Sequence, residues 1–279
     1  MKKITRRSFL AASGLTIAAL ALTACGGSAS TASSAASSVA ASSEAASTSA
    51  VAAELTTVEA GKLTMATNAA FPPYEMTTDA GAFEGIDIDT AQAIADKLGL
   101  ELQIDDMDFD AALLSVQQGK ADIAMAGVTV TDERKNVMDF SDSYATGIQS
   151  IIVPEGSDIA SPDDLAGKKI GTQRGTTGYI YCSDDFGDEN VVAYDDGLTA
   201  VQALNNGQVD AVVIDNAPAQ EFIAANPGLK ILDTSYAEED YAIGMAKGSS
   251  LEAAVNAALE ELKADGTLQS IVDKYITAE

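Results

Sequence analysis

Short apolar segments alternate with amphipathic ones in the first half of the chain, after residue 60. Strands are typical of short apolar runs, whereas an amphipathic helix repeats its apolar residues every three to four positions. These patterns predict strands at residues 62–67, 100–104 and 122–126, with helices from about residue 90 to 98 and at residues 109–118. Strands and helices that take turns in this way predict an α/β fold with a mostly parallel sheet.

The same alternation starts again after residue 168 and predicts a second lobe. Its expected elements are strands at residues 169–172, 191–194 and 211–214, a helix after Gly175 and a helix at residues 198–206.

Two apolar, strand-like segments lie on either side of this second half, at residues 149–153 and 241–245. We interpret them as the hinge crossings between the lobes. Two further helices are expected after the second crossing, at residues 251–264 and 267–275, and they cover the first lobe. The predicted domains are therefore residues 57–150 plus 244–279 for lobe 1 and residues 151–243 for lobe 2.

The chain begins with a pattern typical of an export signal, predicted at residues 1–24. Lys2, Lys3, Arg6 and Arg7 precede an apolar run at residues 9–22, which is too short for a comfortable membrane span. The arginine pair fits both a twin-arginine and a general secretory signal. Leu22-Thr23-Ala24-Cys25 resembles a bacterial lipobox, which implies that Cys25 is lipidated and becomes the first mature residue.

Residues 25–56 are expected to form a tether, because Ser, Ala, Thr and Gly dominate them and leave too little apolar bulk for a core. A flexible chain of that length spans roughly 30 Å, which would hold a folded domain clear of a membrane surface.

Composition excludes several classes of function. The formal net charge is −26, so nucleic acid is not expected as a partner. The chain has no histidine, and Cys182 is the only cysteine after Cys25, which excludes an intramolecular disulfide in the mature chain, most zinc sites and every Ser-His or Cys-His catalytic arrangement. No catalytic residue, metal site or cofactor is therefore predicted.

A candidate carboxylate site follows the third predicted strand. Thr131 is a good N-cap residue, so Arg134 falls in the first turn of a helix, near the loop that precedes it. In that loop Gly127 lets a ligand approach the backbone and Thr129 offers a hydroxyl, while a guanidinium can hold both oxygens of a carboxylate. A capped surface helix with an exposed arginine explains the same residues equally well.

Seven segments carry a resemblance to a known family. They are residues 67–74 (TNAAFPPY), 85–89 (GIDID), 108–110 (DFD), 119–122 (GKAD), 127–134 (GVTVTDER), 139–144 (DFSDSY) and 264–267 (ADGT). In order and spacing they are similar to the extracellular solute-binding proteins, family 3, of polar amino-acid ABC importers. The resemblance implies a two-lobed α/β fold of the periplasmic-binding-protein type (type II). In it each lobe is a mixed, mostly parallel sheet flanked by helices, and two hinge strands allow closure on an amino acid.

The resemblance also implies roles for single residues. Arg134 would bind the ligand α-carboxylate, assisted by Thr129 and by backbone donors near Thr129 and Thr177. Asp215 would take the α-ammonium with the Gly127 carbonyl and the Thr129 hydroxyl, although a helix N-cap explains Asp215 too. The aromatic walls would be Phe71 and Phe109, for which simple core packing is the alternative.

The ligand side chain is the open part of this interpretation. Relatives that bind basic amino acids often carry Asp where this chain has Asn68, and a neutral amide favours glutamine, cysteine or cystine. A basic amino acid stays possible if Glu75, Glu84 or the acidic residues 238–240 serve a cationic end.

The sequence therefore predicts a membrane-anchored, extracytoplasmic and non-enzymatic monomer that delivers an amino acid to an ABC permease. The alternatives are a dehydratase-type enzyme on the same scaffold and a sensor or adhesin without a transport partner.

Overall fold

Two main β-sheets organise residues 55–276, the part of the chain that the computed structural model describes. The predicted export signal, the lipidation residue Cys25 and the tether up to residue 54 lie outside the described residues. Within residues 55–276, no helix combines the length and the apolar character that crossing a membrane requires.

The strands, in chain order, are β1 (Lys62–Thr67), β2 (Ala70–Phe71), β3 (Glu75–Thr77), β4 (Phe83–Glu84), β5 (Glu101–Asp106), β6 (Ile123–Ala124), β7 (Met138–Phe140), β8 (Ala145–Pro154), β9 (Ile170–Gln173), β10 (Val191–Tyr194), β11 (Ala211–Asp215), β12 (Leu229–Ile231), β13 (Ala237–Tyr241) and β14 (Gly244–Ala246). The α-helices are α1 (Ile86–Leu98), α2 (Phe109–Gln117), α3 (Asp132–Val137), α4 (Thr177–Phe186), α5 (Gly197–Asn205), α6 (Asn216–Ala225), α7 (Glu252–Ala264) and α8 (Thr267–Tyr275). Short 3-10 helices cover Pro162–Leu165 and Asp188–Asn190.

Lobe 1 is built on a five-stranded sheet with the order β5-β1-β6-β14-β7, and lobe 2 on a six-stranded sheet with the order β10-β9-β11-β8-β12, in which β13 also pairs with β8. Strands joined through helices are parallel, as predicted: β1 with β5 and β6, and β9 with β10 and β11. The strands that enter each lobe from the other one, β14 and β8, pair antiparallel with their neighbours. Both sheets are therefore mixed. A small sheet of β2, β3 and β4 extends lobe 1.

The first crossing between the lobes lies earlier than the sequence pattern suggested. Residues 149–153 were expected to cross, but β8 pairs with β11, β12 and β13 from Ala145 onward and lies wholly in lobe 2. The chain crosses at residues 141–144 instead, so the predicted boundary at residue 150 falls inside a strand. The return crossing follows Tyr241, where β13 ends, and β14 of lobe 1 begins at Gly244.

Helix α1 starts several residues before the expected cap at Asp89 or Thr90. Gly85 precedes its first turn with φ 134°, and a Cβ there would lie 2.1 Å from the Tyr74 carbonyl oxygen, so only glycine fits. The earlier start includes Asp87 in the first turn, where it is fully buried. This carboxylate becomes part of the site described below.

The cores of the lobes meet at the hinge. One apolar cluster contains Met65 and Ile94 of lobe 1 and Ile214 and Phe222 of lobe 2, and it includes the crossing residue Tyr144 together with Tyr241. Cys182 belongs to a second cluster, on lobe 2, where burial raises the pKa of its thiol to about 12. A fully buried thiol with so high a pKa is a packing residue.

Candidate functional site

One cavity between the lobes is lined by all eight residues that the sequence singled out as ligand-binding. They are Asn68, Phe71, Phe109, Gly127, Thr129, Arg134, Thr177 and Asp215. The cavity has about 310 Å³ of empty space, part of it open to solvent. Four further residues line it: Glu75, Ala126, Gln173 and Thr176. The predicted residues thus lie together, while their roles in binding stay predictions.

Arg134 is held by its own short helix. The Thr131 side chain accepts a hydrogen bond from the Arg134 N–H at 3.1 Å, which confirms the predicted N-cap. The guanidinium is buried, with its carbon 5.3 Å from the centre of the Phe109 ring. One nitrogen donates to the Thr129 carbonyl at 2.8 Å and another to the Gly175 carbonyl of lobe 2 at 3.1 Å. Arg134 is therefore not the exposed surface residue of the alternative interpretation.

Burial lowers the pKa of Arg134, and the nearby Glu239 carboxylate partly offsets that effect. A desolvated guanidinium that faces a cavity attracts an anion strongly, because little water screens it. Backbone donors stand beside it, since Thr177 opens α4 and the first N–H groups of a helix have no acceptor within the helix. The arrangement is well suited to a carboxylate.

Asp215 lies at the end of β11, on lobe 2. It occupies the N-cap position of α6, but its side chain makes no capping bond to that helix. One carboxylate oxygen accepts a hydrogen bond from Gln149 Nε2 at 2.8 Å and the other accepts one from the Tyr241 hydroxyl. Burial, followed by the nearby Glu239 charge, raises the pKa of Asp215 to about 7. This carboxylate favours a positively charged partner.

Phe71 and Gly127 shape one wall of the cavity. Gly127 has φ 54°, and a Cβ at this position would lie 2.9 Å from the Phe71 ring and 3.3 Å from the Tyr241 ring. The position therefore requires glycine both for its backbone and for its space. The Gly127 N–H donates to Asp87 Oδ2 at 3.0 Å, which fixes the loop that carries Thr129.

Asn68 has a different environment from the one expected. Its side-chain oxygen accepts from Gln173 Nε2 of lobe 2 at 2.8 Å, and its nitrogen donates to the Met107 carbonyl at 2.9 Å. Both ends of the amide are thus occupied by protein groups, and the bond to Gln173 joins the two lobes. The identity of this residue is consequently a weak guide to the ligand side chain.

A pair of buried carboxyls lies behind Phe71. Glu75 is fully buried and lines the cavity, and neither of its oxygens has a hydrogen-bond partner among the described residues. Burial, and next the charge of Asp87, raises the pKa of Glu75 well above its usual range. The neighbouring Asp87 carboxyl can bond to Glu75 only when one of the two carries a proton, since ionised carboxylates only accept.

Asp87 is better supported than its neighbour. It accepts from the Tyr144 hydroxyl at 2.7 Å as well as from Gly127, and burial raises its pKa to about 6. Glu75 is therefore the carboxyl of this pair that receives no hydrogen bond from an N–H or O–H donor among the described residues. In the sequence Glu75 is only one of several candidate acids, because nothing in the local pattern shows that β3 turns it inward.

A third buried acid, Glu239, lies beside the Thr129 hydroxyl. Its Oε2 accepts from Thr129 Oγ1 at 3.0 Å and from Gln149 Nε2 at 3.1 Å. Thr129 Oγ1 also lies 3.4 Å from Thr177 Oγ1, across the cleft. No group of His, Cys, Asp and Glu side chains within residues 55–276 has an arrangement that could hold a metal ion.

Comparisons with known proteins agree with this geometry. The chain matches the family model of the bacterial extracellular solute-binding proteins, family 3, over residues 63–278. The L-cystine-binding protein TcyJ of Escherichia coli (strain K12) is 32% identical over 226 residues, which cover 79% of this chain and 85% of TcyJ.

Solved structures are similar over the same region. The arginine-, lysine-, histidine-binding protein ArtJ from Geobacillus stearothermophilus has a TM-score of 0.75 and 34% identity, covering 78% of this chain and 96% of ArtJ. An ancestral arginine-binding protein bound to arginine has a TM-score of 0.74 and 43% identity, covering 77% and 98% of the two chains. The neighbours are two-lobed periplasmic binding proteins, as the predicted fold class requires.

Proposed function

Because the chain belongs to the bacterial extracellular solute-binding proteins, family 3, we propose that it captures an amino acid in this cavity and delivers it to an ABC importer. Members of the family are extracytoplasmic, substrate-binding transport proteins, and the relatives of this chain bind amino acids. The protein is accordingly a carrier and not a catalyst.

The observation that carries the proposal is the placement of opposite charges from opposite lobes in one cavity. Arg134 comes from lobe 1 and Asp215 from lobe 2, and both are buried. A zwitterion that leaves water needs a partner for each of its charges, and losing one partner of a buried pair costs about 2 to 5 kcal/mol. An α-amino acid meets this requirement with its carboxylate at Arg134 and its ammonium at Asp215. Its binding therefore favours the closed arrangement of the lobes.

Glu75 extends the proposal to the ligand side chain. A carboxylate that is fully buried beside Asp87, with no donor bonded to it within residues 55–276, is unfavourable unless a cation or donor reaches it. Because Arg134 and Asp215 account for the two charges common to all amino acids, Glu75 is left for a third charge. We therefore assign the cavity to an amino acid with a cationic side chain, such as arginine, ahead of the neutral ligands that Asn68 suggested.

The rest of the chain completes the carrier. We assign residues 1–24 to an export signal, Cys25 to lipidation and residues 25–56 to a tether at the membrane surface. The lobes then act as a monomer that hands its ligand to a membrane permease. These assignments rest on the sequence patterns of residues outside the described structure.

Ligand binding is tested by thermal denaturation of the purified protein with single amino acids, followed by calorimetry. A ligand at about one hundred times its Kd adds about 2.7 kcal/mol of stability, so the unfolding midpoint should rise clearly with L-arginine. We expect weaker binding of L-citrulline, which has the same shape without the side-chain charge. If no amino acid raised the midpoint, the proposed function would be wrong.

The role of Glu75 is tested with Glu75→Gln. This change should lower the preference for arginine over citrulline about tenfold, because the buried counter-charge is lost while the shape is kept. Glu84→Gln is the matched control, since Glu84 is exposed on the adjacent strand β4. Equal preference in the wild type and in Glu75→Gln would contradict the cationic assignment but leave the amino-acid site in place.

A further inference from the structure

Strand β13 brings two polar side chains into contact with residues that line the cavity, Glu239 with Thr129 and Tyr241 with Asp215. Its residues alternate in exposure, so that Glu238 and Asp240 face solvent while Glu239 and Tyr241 are buried. Pairing with β8 places Glu239 opposite Gly147, next to Gln149. The same strand therefore supplies the hydroxyl of Tyr241 that holds Asp215 and, two residues earlier, a second carboxylate.

The contacts of Glu239 are uneven. Its Oε2 accepts two hydrogen bonds, from Thr129 Oγ1 and Gln149 Nε2, whereas Oε1 is buried without a partner among the described residues. The Tyr181 hydroxyl also approaches this carboxylate, outside hydrogen-bond geometry. A buried carboxylate with one unpaired oxygen destabilises a fold, so packing alone does not account for it.

The bond to Thr129 decides how that hydroxyl can act. A threonine hydroxyl has one proton to donate and two lone pairs to accept. Once Glu239 takes the proton, Thr129 Oγ1 can only accept further bonds. In the 3.4 Å contact with Thr177 Oγ1, Thr177 is then the donor.

We propose that Glu239 is a positioning residue: by accepting the Thr129 proton it makes Thr129 Oγ1 an acceptor for the α-ammonium of the ligand, beside Asp215. The inference rests on the proposed function. Gln149 couples the two acids, because its Nε2 donates to both Asp215 Oδ2 and Glu239 Oε2. If the acceptor at residue 239 is removed, the Thr129 hydroxyl proton is free to point into the ligand site. There it repels the α-ammonium that Thr129 Oγ1 would otherwise accept from.

Two variants at position 239 separate the effect of the hydrogen-bond acceptor from the effect of the negative charge. Glu239→Gln keeps an oxygen for Thr129, and its amide nitrogen takes the place of the unpaired Oε1. Glu239→Met has a similar length and no comparable acceptor. Each full-length variant is titrated by calorimetry at pH 8 with L-arginine and with 5-guanidinopentanoate, the same molecule without its amino group. L-glutamine and glutaramate replace this pair if arginine gives no heat.

We expect Glu239→Met to weaken the amino acid about thirtyfold and its deamino analogue less than threefold, with Glu239→Gln close to the wild type for both. Equal losses for both ligands in Glu239→Met, or equal effects of Met and Gln, would overturn the inference. If circular dichroism shows that Glu239→Met is unfolded, Thr129→Val should give the same amino-specific loss while Thr129→Ser does not. A Thr129→Val variant that bound the two ligands in wild-type proportion would then overturn it. Wild-type protein that bound neither amino acid would contradict the proposed function instead.

Discussion

The cavity has an arginine side, at Arg134, and an acidic side, at Asp215 and Glu75 with the nearby Glu239. The two sides stabilise buried charge in different ways. Arg134 is the single cation that lines the cavity among the described residues, and two backbone carbonyls and the Phe109 ring satisfy it. Among the acidic groups, Asp215 and Glu239 share the amide of Gln149, and Glu75 receives no hydrogen bond within the part of the chain that the structure describes. The groups in and around the cavity therefore include more acids than bases, which favours a ligand with more positive than negative charge.

The largest effect is expected from removing the arginine side. Arg134→Ala leaves the ligand carboxylate without its charged partner in a desolvated site, so affinity should fall at least about 100-fold. Arg174→Ala is the matched control, because the Arg174 side chain is 55% exposed and pairs with Asp195 at 3.6 Å. Calorimetry gives the affinities, and circular dichroism checks that both variants are folded. Near-normal binding by folded Arg134→Ala would contradict the assignment of the carboxylate end.

Removing Asp215 weakens the acidic side but leaves Glu239 and Glu75 in place. Asp215→Asn should therefore lower the affinity less, by about thirtyfold for an α-amino acid. The exposed Asp233 offers a control in Asp233→Asn. Competition binding with a deamino analogue separates the roles, because that ligand has no ammonium for Asp215 to hold. Similar losses for the two ligand types would mean that Asp215 supports the fold of the cavity and does not contact the amino group.

A variant at Gly175 tests whether ligand binding requires the two lobes to come into contact. A Cβ at this residue of lobe 2 would lie 1.5 Å from Asp110 Oδ1 of lobe 1. Gly175→Ala displaces the exposed Asp110 carboxylate from this contact or keeps the lobes apart, so binding should weaken by at most about tenfold. Gly207→Ala is a matched control, because Gly207 also has a positive φ, 68° against 73°, but nothing lies within 4 Å of its added Cβ.

Small-angle X-ray scattering reports closure of these two variants directly. With ligand present, Gly175→Ala should keep a larger radius of gyration than Gly207→Ala. Equal radii and equal affinities would show that contact at Gly175 is dispensable for closure.

The smallest expected effect is the dependence of folding stability on pH, which comes from the buried carboxyls. The folded-state pKa of Asp87 is raised to about 6 and that of Asp215 to about 7, both by burial, and burial raises that of Glu75 well above its usual range. In the unfolded chain these groups lose their protons near pH 4. The folded protein therefore holds more protons between pH 4 and 7, so these groups contribute stability at low pH that is lost as pH rises through 6 to 7.

Without ligand, the unfolding midpoint should consequently be a few degrees higher at pH 5.5 than at pH 7.5. Glu75→Gln should reduce that difference, because it removes one of the titrating groups. Thermal denaturation followed by circular dichroism measures both quantities. A midpoint that rose between pH 5.5 and 7.5 would contradict the burial of protonated carboxyls in the cavity.

Local sequence predicted a helix or strand well where that element is stabilised by interactions among its own residues. Residues 62–67, 191–194 and 267–275 form the predicted strands and helix, and Thr131 caps α3 as expected. The arginine side of the cavity was predictable for the same reason, since a cap residue, a short helix and a glycine loop lie within about ten residues of each other. Family resemblance added Asp215 and the aromatic walls, which local pattern did not distinguish from a helix cap or from core.

The acidic side depended on contacts that are distant in sequence. Local pattern does not separate the three acids at residues 238–240, and only antiparallel pairing with β8 turns Glu239 inward while Glu238 and Asp240 stay exposed. Glu75 becomes buried because the small sheet of β2, β3 and β4 packs against α1 and its Asp87. Periodicity cannot distinguish the two faces of a strand when both carry polar residues.

By itself, then, the sequence determined the succession of elements, the capped arginine and the family to which the chain is similar. Tertiary structure decided where the chain crosses between lobes, that Asn68 joins the lobes through Gln173, and which few of the many acidic residues are buried. The physical reason is the range of the interactions along the sequence. Helix caps and hydrophobic periodicity depend on residues that lie within one or two helical turns of each other. The burial of a carboxylate is set by which strand pairs beside it and which lobe closes over it.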